Sequence, residues 1–258
     1  MFHPCLSDML TGVWLKPKEE ILLAKVCFVS MWHSIVPASV ALLHDELVAL
    51  YQHEEKLEFW FHGCHSDTDQ WLLNEIIRLK ACNQSKTEIV DVVDPFKEYG
   101  NIRDKTDQLW QDNFKISEDV RIEYAPKLDS KINPGSRRFI VRSNQVERWM
   151  IDQCDYLLAY YYDGVPNGAT TFIRHARVKP HVRLISVVDP TTVMQIEKLV
   201  TEIDGRTRLI LDRIRAGRSY KSIGDELGVS PNRVMQIASK ASRNIMYAIH
   251  GEIRSRYR

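Results

Sequence analysis

The chain has 258 residues, of which 44% are hydrophobic and 27% charged, a composition that excludes collagen-like, coiled-coil and wholly disordered proteins. No apolar run approaches the roughly 18 residues of a membrane span, no secretory signal is recognisable, and the five cysteines are scattered, so we expect a cytoplasmic protein without disulfides or membrane contact. Residues 204–258 hold 12 of the 35 Lys and Arg but 5 of the 34 Asp and Glu. This basic end favours binding to a polyanion, although a solvated helical surface has the same composition.

The first 190 residues alternate between short apolar runs and stretches of helical periodicity. In chain order, the pattern predicts strands over 26–29, 57–61, 88–93, 120–124, 156–162 and 182–188. Between them it predicts helices over 37–51, 69–81, 102–114, 145–154 and 170–177. Such alternation is typical of βαβ units, so we expect an α/β protein with a mostly parallel sheet and helices on both faces.

Changes in pattern and charge divide the chain into four segments. Residues 1–25 have no clear period and are expected to form an N-terminal arm. Residues 26–190 form the predicted α/β domain, and 191–205 are expected to be a hinge. Residues 206–258 are predicted to be a small all-α domain.

Two glycine-containing loops follow predicted strands, at the sheet edge where α/β proteins bind ligands. The first has Gly63 and leads to a helix that starts near Asp69. The second has Gly164 and Gly168 before a helix that Thr170 can cap. Free N–H groups at such helix starts favour anions, but a single loop of this kind is more often simply a turn.

Several motifs occur here in the same order as in the YpsA-like branch of the SLOG superfamily of Rossmann-like domains. They are Gly63 with Asp69-Gln70-Trp71, Pro95-Phe96, Trp149-Met150-Ile151-Asp152, Cys154-Asp155-Tyr156-Leu157-Leu158-Ala159, Tyr162-Asp163-Gly164 and Gly168-Ala169-Thr170. The resemblance covers about 26–190 and implies a Rossmann-like fold that holds a nucleotide or nucleotide-derived ligand. The ligand-binding residues that it implies are Gly63, Asp69, Trp71, Asp155, Asp163, Gly164, Gly168 and Thr170.

The loops also depart from the pattern of that branch. Asp67 and Ala169 stand where the branch has glycine, and Val146-Glu147 stands where it has Arg-Asn. Added carboxylates repel phosphate unless a nearby arginine compensates for them. A degenerate pocket that only serves as a scaffold is therefore one alternative, and a nucleotide-processing enzyme similar to the phosphoribohydrolases of the superfamily is another. No residue is assigned a catalytic role.

The basic end of the chain has the spacing of a helix-turn-helix. An amphipathic helix over 207–217 precedes helices over 220–227 and 231–237, and Gly228 provides the turn between the last two. Ser230 is expected to cap the last helix, with proline at its first position. This arrangement leaves the outer face of the last helix free for the major groove of DNA.

The sequence Ile223 to Ile237 resembles region four of the sigma-70 family of initiation factors, and the likeness extends over roughly 206–247. The resemblance implies binding to DNA and to RNA polymerase. Pro231, Asn232 and Met235 replace polar readers of the family, so we expect a different sequence preference. A three-helix module for protein contact or dimerisation is the alternative. The residues expected to contact DNA are Ser230, Asn232, Arg233, Gln236, Lys240 and Arg243.

Two other groups of residues receive a plainer interpretation. His62, Cys64 and His65 lack the second ligand pair of a structural zinc site, so no metal is expected. A basic run from Arg174 to Arg183 is interpreted as a solvated helix end, with contact to phosphate or to flanking DNA as the alternative.

Together these features predict a DNA-binding transcription regulator whose SLOG-like domain senses a nucleotide-type ligand. Regulators of this kind usually dimerise to span two half-sites, so a homodimer is expected. Two other hypotheses stay open, a nucleotide-processing enzyme with a localising helical tail and a sigma-like accessory protein that binds RNA polymerase.

Overall fold

The three-dimensional structure is a computed structural model of the chain. It describes residues 23–30, 35–62, 67–83, 87–93, 120–125, 138–166 and 169–250. Several predictions lie outside these described residues, namely those for the arm over 1–22, Gly63, the helix over 102–114 and Gly168.

The α/β domain is built from six strands and, among the described residues, four helices. The strands are β1 (Leu23–Ser30), β2 (Lys56–Phe61), β3 (Thr87–Val93), β4 (Val120–Tyr124), β5 (Tyr156–Tyr160) and β6 (Arg183–Ser186). The helices are α1 (Pro37–His53), α2 (Asp67–Asn83), α3 (Arg138–Gln153) and α4 (Thr170–Arg177).

The strands form one sheet in the order β4-β3-β2-β1-β5-β6, and every pairing in it is parallel. From β1 the chain moves outward to β4 and then returns to add β5 on the other side of β1. The carboxyl ends of β1 and β5 therefore flank the point where the winding reverses, which is where doubly wound sheets bind ligands. The predicted Rossmann-like α/β fold is confirmed.

Side chains of the central strands alternate between two apolar cores. Val26 of β1 and Leu158 of β5 belong to the core that includes α1 and α2. Cys27 and Leu157, their neighbours in the chain, belong to the core that includes α3 and α4. All four side chains are buried. Because helices cover both faces of the sheet, its strands read as nearly continuous apolar runs.

Four further helices follow β6. They are α5 (Pro190–Glu202), α6 (Gly205–Arg215), α7 (Tyr220–Leu227) and α8 (Pro231–His250). Their buried side chains, among them Ile210, Ile223 and Val234, belong to the same apolar cluster as α1 and α2. Within the described ranges, no helix has the length and apolarity needed to cross a membrane.

The segment expected to be a hinge is largely helical, because α5 occupies most of it. Asp189 caps this helix by accepting a hydrogen bond from the Thr192 amide at 3.0 Å, and Ser39 of α1 donates its hydroxyl to the same carboxylate at 2.8 Å. Ile196 and Val200 recur at helical spacing and are buried. Contacts with α1 and α8 make this segment part of the core.

Candidate functional site

Helices α7 and α8 form the helix-turn-helix, and two glycines shape the turn between them. Gly228 ends α7 with a φ of 64°, in the left-handed region that favours glycine. Gly224 packs so closely that a Cβ there would lie 2.5 Å from the carbonyl oxygen of Val229. Glu226 accepts hydrogen bonds from Arg213 of α6, at 2.9 and 3.1 Å, and from Arg218. These ion pairs help to hold α6 against α7.

The first half of α8 presents a polar face that its own packing leaves accessible. Ser230 accepts a hydrogen bond from the Arg233 amide at 3.2 Å, which is the predicted cap. Asn232, Arg233, Gln236, Lys240 and Arg243 are all exposed, as is Ser230 itself. Because these positions recur every three or four residues, they share one face of the helix. The buried side chains Val234, Ala238, Ala241 and Ile245 anchor the opposite face.

Two exposed apolar side chains on α8 were not among the predicted contacts. Met235 is 43% exposed and Tyr247 is 47% exposed, although large apolar residues on this helix are otherwise at least partly covered. Met235 adjoins Gln236 in sequence, and its side chain is accessible to a partner. The sequence signal for Met235 was its position within the family motif.

The end of α8 packs against the α/β domain. The His250 and Tyr160 rings meet edge to face with their centroids 6.2 Å apart. Burial lowers the pKa of His250 to about 4, and burial also raises the pKa of Tyr160 to about 12. The far end of α8 thus packs against the last residue of β5.

Of the predicted ligand-binding residues that the structure describes, three meet in one cavity. Asp163 and Gly164 in the loop after β5 line it together with Thr170, the first residue of α4. Asp155 precedes β5 at the opposite edge of the sheet and accepts a hydrogen bond from the Lys25 amide at 2.8 Å. It therefore lies away from Asp163, because the two residues flank opposite ends of the same strand.

Asp69 and Trp71 also lie apart from this cavity. Both belong to the first turns of α2, after β2, and the Trp71 side chain packs against the apolar core. Neither lines the cavity among the residues that the structure describes. The structure thus brings Asp163 and Gly164 of the second predicted loop together with the start of α4.

The cavity has a volume of about 340 Å³ and lies between the α/β domain and the start of the helix-turn-helix. Its most notable feature is three arginines, two from α4 and one from α6, beside a single carboxylate. The turn between α6 and α7 closes one side with Gly217, whose φ is 79°. The lining consists of Tyr161, Asp163, Gly164, Pro166, Thr170, Arg174, Arg177, Val178, Ile214, Arg215 and Gly217.

Asp163 is the centre of a hydrogen-bonded group on one wall. Arg177 donates through both terminal nitrogens to the two carboxylate oxygens of Asp163, with 3.0 Å between Nη1 and Oδ1. The Tyr161 hydroxyl donates to Oδ1 of Asp163 at 2.8 Å. Burial opposes ionisation of Asp163, but the hydrogen bonds from Arg177 and Tyr161 outweigh it and lower the pKa of this carboxyl. Burial, followed by the bond to Asp163, raises the pKa of Tyr161 to about 12. Asp163 is therefore ionised at neutral pH.

Arg215 closes the cavity from the side of the helix-turn-helix. Its guanidinium lies 5.3 Å from the Tyr162 ring centroid, donates to the Tyr162 hydroxyl at 2.5 Å and lies 3.3 Å from Glu197 of α5. Gly164 has a φ of 94°, and a Cβ on it would lie 2.5 Å from the Nε of Arg215. Burial, followed by a hydrogen bond to Glu197, raises the pKa of Tyr162.

The basic run after the second loop divides between two places. Arg174 and Arg177 line the cavity, whereas His175 and Lys179 contact Asp152 at 2.8 and 2.5 Å. Arg174 and Arg177 are three residues apart on α4 and therefore share a face of the helix. This spacing was the sequence signal that could have separated them from His175 and Lys179. Nothing local predicted Arg215, which meets this loop only through tertiary packing.

No group of three or more His, Cys, Asp or Glu side chains that could hold a metal ion exists among the described residues. His62 is among the described residues, and its Nδ1 lies 3.8 Å from Oε1 of Glu147. Cys64 and His65, the other members of the sequence cluster, lie outside the described ranges.

Comparison with protein-family models and with curated proteins finds no match for this chain.

Proposed function

We propose that this protein is a DNA-binding transcription regulator in which the Rossmann-like domain senses a nucleotide-type ligand. The observation that carries the proposal is the exposed polar face of α8, held in a helix-turn-helix by buried side chains on its other face. The resemblance of this segment to sigma region four supports the same function. The excess of basic residues at this end of the chain adds attraction to the phosphate backbone.

The chemistry of the exposed side chains suggests how a sequence would be read. Gln236 suits adenine, and Arg233 suits guanine or a phosphate. The two lie next to each other, with 3.5 Å between Arg233 Nη1 and Gln236 Oε1. Lys240 and Arg243, one and two turns further along the same face, suit phosphates. In this proposal Arg233 and Gln236 confer specificity and the two later residues confer affinity.

The sensory part of the proposal has separate support. The SLOG resemblance favours a nucleotide or a derivative, and the cavity beside Asp163 and Gly164 lies at the sheet edge where such ligands bind. A homodimer would place two recognition helices on a two-fold symmetric operator. Cytoplasmic location follows from a role on chromosomal DNA and belongs to the same proposal.

The test is selection of DNA from a random pool by the full-length protein, followed by titration of the selected sequence over a salt series. We expect a defined sequence, with affinity that falls steeply as salt rises. Arg233→Ala should weaken binding by about 1–3 kcal/mol. Lys198→Ala, which removes an exposed charge from α5, should leave the affinity unchanged. Failure to bind any DNA at low salt would contradict the proposal.

A further inference from the structure

The cavity between the α/β domain and the helix-turn-helix has more positive charge than its own residues neutralise. Arg174, Arg177 and Arg215 line it. Arg177 pairs with Asp163, the only carboxylate in the described lining, and Arg215 lies 3.3 Å from Glu197 of α5, so one positive charge is left over. Within the described part of the chain, Arg174 has no carboxylate partner and donates to the carbonyl oxygen of Ile214 at 3.3 Å. An anion in the cavity would complete this charge balance.

We propose that this cavity binds the phosphate group of a small molecule, with Arg174, Arg177 and Arg215 as its ligands. The inference rests on the proposed sensory function and specifies the chemical class and the location of the ligand. None of the three arginines belongs to the sequence motifs that suggested a nucleotide pocket.

Guanidinium groups suit this role because their planar arrays of N–H donors match the oxygens of phosphate. Thr170, Arg174 and Arg177 of α4 all line the cavity, so this wall runs along the length of the helix. The volume of about 340 Å³ exceeds the needs of a phosphate ion and falls at the lower end of the range for small-molecule sites. A ligand about the size of a mononucleotide fits these dimensions.

The position of Arg215 makes this site a junction between two parts of the molecule. Arg174 and Arg177 belong to α4 of the α/β domain, whereas Arg215 ends α6, the helix that contacts both α7 and α8. Gly164 has no side chain, so the Arg215 guanidinium can lie directly over the backbone of the loop. A phosphate held by all three arginines would therefore contact both parts at once.

Calorimetric titration of the full-length protein in phosphate-free, low-salt buffer tests the proposal with three probes: inorganic phosphate, adenosine monophosphate and adenosine. We expect binding of at least one phosphate-bearing probe and none of adenosine. Tighter binding of the monophosphate identifies a phosphoester as the ligand, and equal binding identifies the free ion. The binding should weaken as salt is added.

The matched variants are Arg174→Gln and Arg215→Gln, with Arg208→Gln on the exposed surface of α6 as the control. Each cavity variant should weaken phosphate binding by roughly tenfold or more, because a charge-assisted hydrogen bond is lost. The control should bind as the parent does. Circular dichroism checks that each variant is folded. Arg174→Gln remains decisive if Arg215→Gln unfolds, since the loss of Arg174 removes a hydrogen bond to the carbonyl oxygen of Ile214 and breaks no ion pair among the described residues.

Three results would overturn the inference: no binding of either phosphate probe at millimolar concentration, adenosine binding as tight as that of the monophosphate, or unchanged affinity in both cavity variants. DNA selection by the same preparation separates this inference from the proposed function. A protein that selects DNA without binding phosphate disproves only the cavity assignment. One that binds phosphate without selecting DNA disproves only the regulator.

Discussion

Gly164 shows how one residue can shape a site that involves distant parts of the chain. Its φ of 94° is accessible to glycine at little cost, and its missing side chain leaves room for the Arg215 guanidinium. Arg215 is 51 positions further along the chain, so this contact exists only in the folded protein. The sequence also predicts Gly164 as a ligand-binding residue.

We expect Gly164→Ala to lower the free energy of unfolding by about 1–2 kcal/mol, because alanine is strained at this φ. The new methyl group would also displace the Arg215 side chain. Urea unfolding measures the change. Gly205→Ala is the matched control, since a Cβ there meets no atom within 4 Å and the residue starts a helix. Equal stability of the two variants would contradict the prediction.

His250 provides a pH-dependent contribution to stability. Its folded pKa of about 4 lies below the value of about 6.5 for an unfolded histidine. Between these values the unfolded state binds more protons, so this residue destabilises the fold progressively as the pH falls. Its full contribution is present above pH 6.5.

When the pH falls from 7 to 5, we therefore expect the free energy of unfolding to decrease by about 1 kcal/mol less in His250→Phe than in the parent. Urea unfolding at both pH values measures the difference. His53→Phe, at the exposed end of α1, should retain the parental pH dependence. An identical dependence in His250→Phe and the parent would contradict the assignment.

Among the elements, the turn between α7 and α8 depends on two glycines for different reasons. At Gly228 the requirement is the left-handed backbone, and open space surrounds the position of a Cβ. At Gly224 the requirement is space, because the Cβ would lie 2.5 Å from a backbone oxygen. Backbone cannot rotate aside as a flexible side chain can, so Gly224 tolerates substitution less well.

Gly228→Ala should cost about 1–2 kcal/mol of stability, and Gly224→Ala should cost more, about 3 kcal/mol, because α7 and α8 must move apart. Thermal unfolding measures both, and DNA titration reports the geometry of the pair. We expect Gly224→Ala to weaken DNA binding more than Gly228→Ala does. The reverse order in stability would show that the turn is packed differently.

The two aspartate caps of α5 and α6 differ in their surroundings. Asp189 is buried and binds Ser39 as well as its own helix, whereas Asp204 is exposed and caps the first turn of its own helix at Thr207. Burial raises the pKa of Asp189, but hydrogen bonds from Thr192 and Ser39 outweigh it, so the net pKa is lowered. Its stabilisation is present above about pH 4 and is lost as the pH falls through the lower folded value.

Asp189→Ala should cost about 2–3 kcal/mol, since it removes a cap and leaves the buried Ser39 hydroxyl without its acceptor. Asp204→Ala, the control, should cost clearly less. Guanidinium unfolding at pH 7 measures both. At pH 3 the difference between Asp189→Ala and the parent should shrink, and a difference that persists undiminished would contradict the role of the carboxylate.

At the level of the whole chain, the α/β domain and the helix-turn-helix share one apolar cluster. Residues of α5 to α8 pack in the same core as those of α1 and α2, and α8 ends on β5. A shared core means that one part cannot unfold without exposing apolar surface of the other. The molecule should therefore unfold as a single cooperative unit.

The positions of the tryptophans make this testable. None of the six tryptophans follows Trp149, and Trp60, Trp71 and Trp149 lie in the described part of the α/β domain, so fluorescence reports on that domain, whereas circular dichroism at 222 nm reports strongly on the helices. We expect the two urea transitions to coincide in the full-length protein. Separate midpoints would mean that the helix-turn-helix unfolds independently.

Much of the fold could be predicted from local patterns. Strands β1 to β6 and helices α1, α2, α4, α6 and α7 were expected within a few residues, because apolar periodicity reflects which faces are covered. Helix α3 begins seven residues before its predicted start, and α8 continues thirteen residues past its predicted end. The segment of α5 was expected to be a hinge, although Asp189-Pro190 is a helix-start signal and Ile196 and Val200 have helical spacing. The cap at Ser230, the turn at Gly228 and the buried position of Val234 could be predicted because they are local features, whereas the exposed Met235 and Tyr247 were not among the predicted contacts.

The composition of the cavity depends instead on how the elements pack. Asp163 and Gly164 were expected at a ligand site because they follow a strand, but Asp155, from the same motif, lies at the opposite sheet edge. Arg215 joins Gly164 only because α6 packs beside the loop after β5. Local periodicity indicates which face of a helix or strand is apolar, but it does not indicate which element from elsewhere in the chain packs against that face. For this reason the turn and the start of α8 could be found in the sequence, whereas the arginine cavity depends on the packing of distant elements.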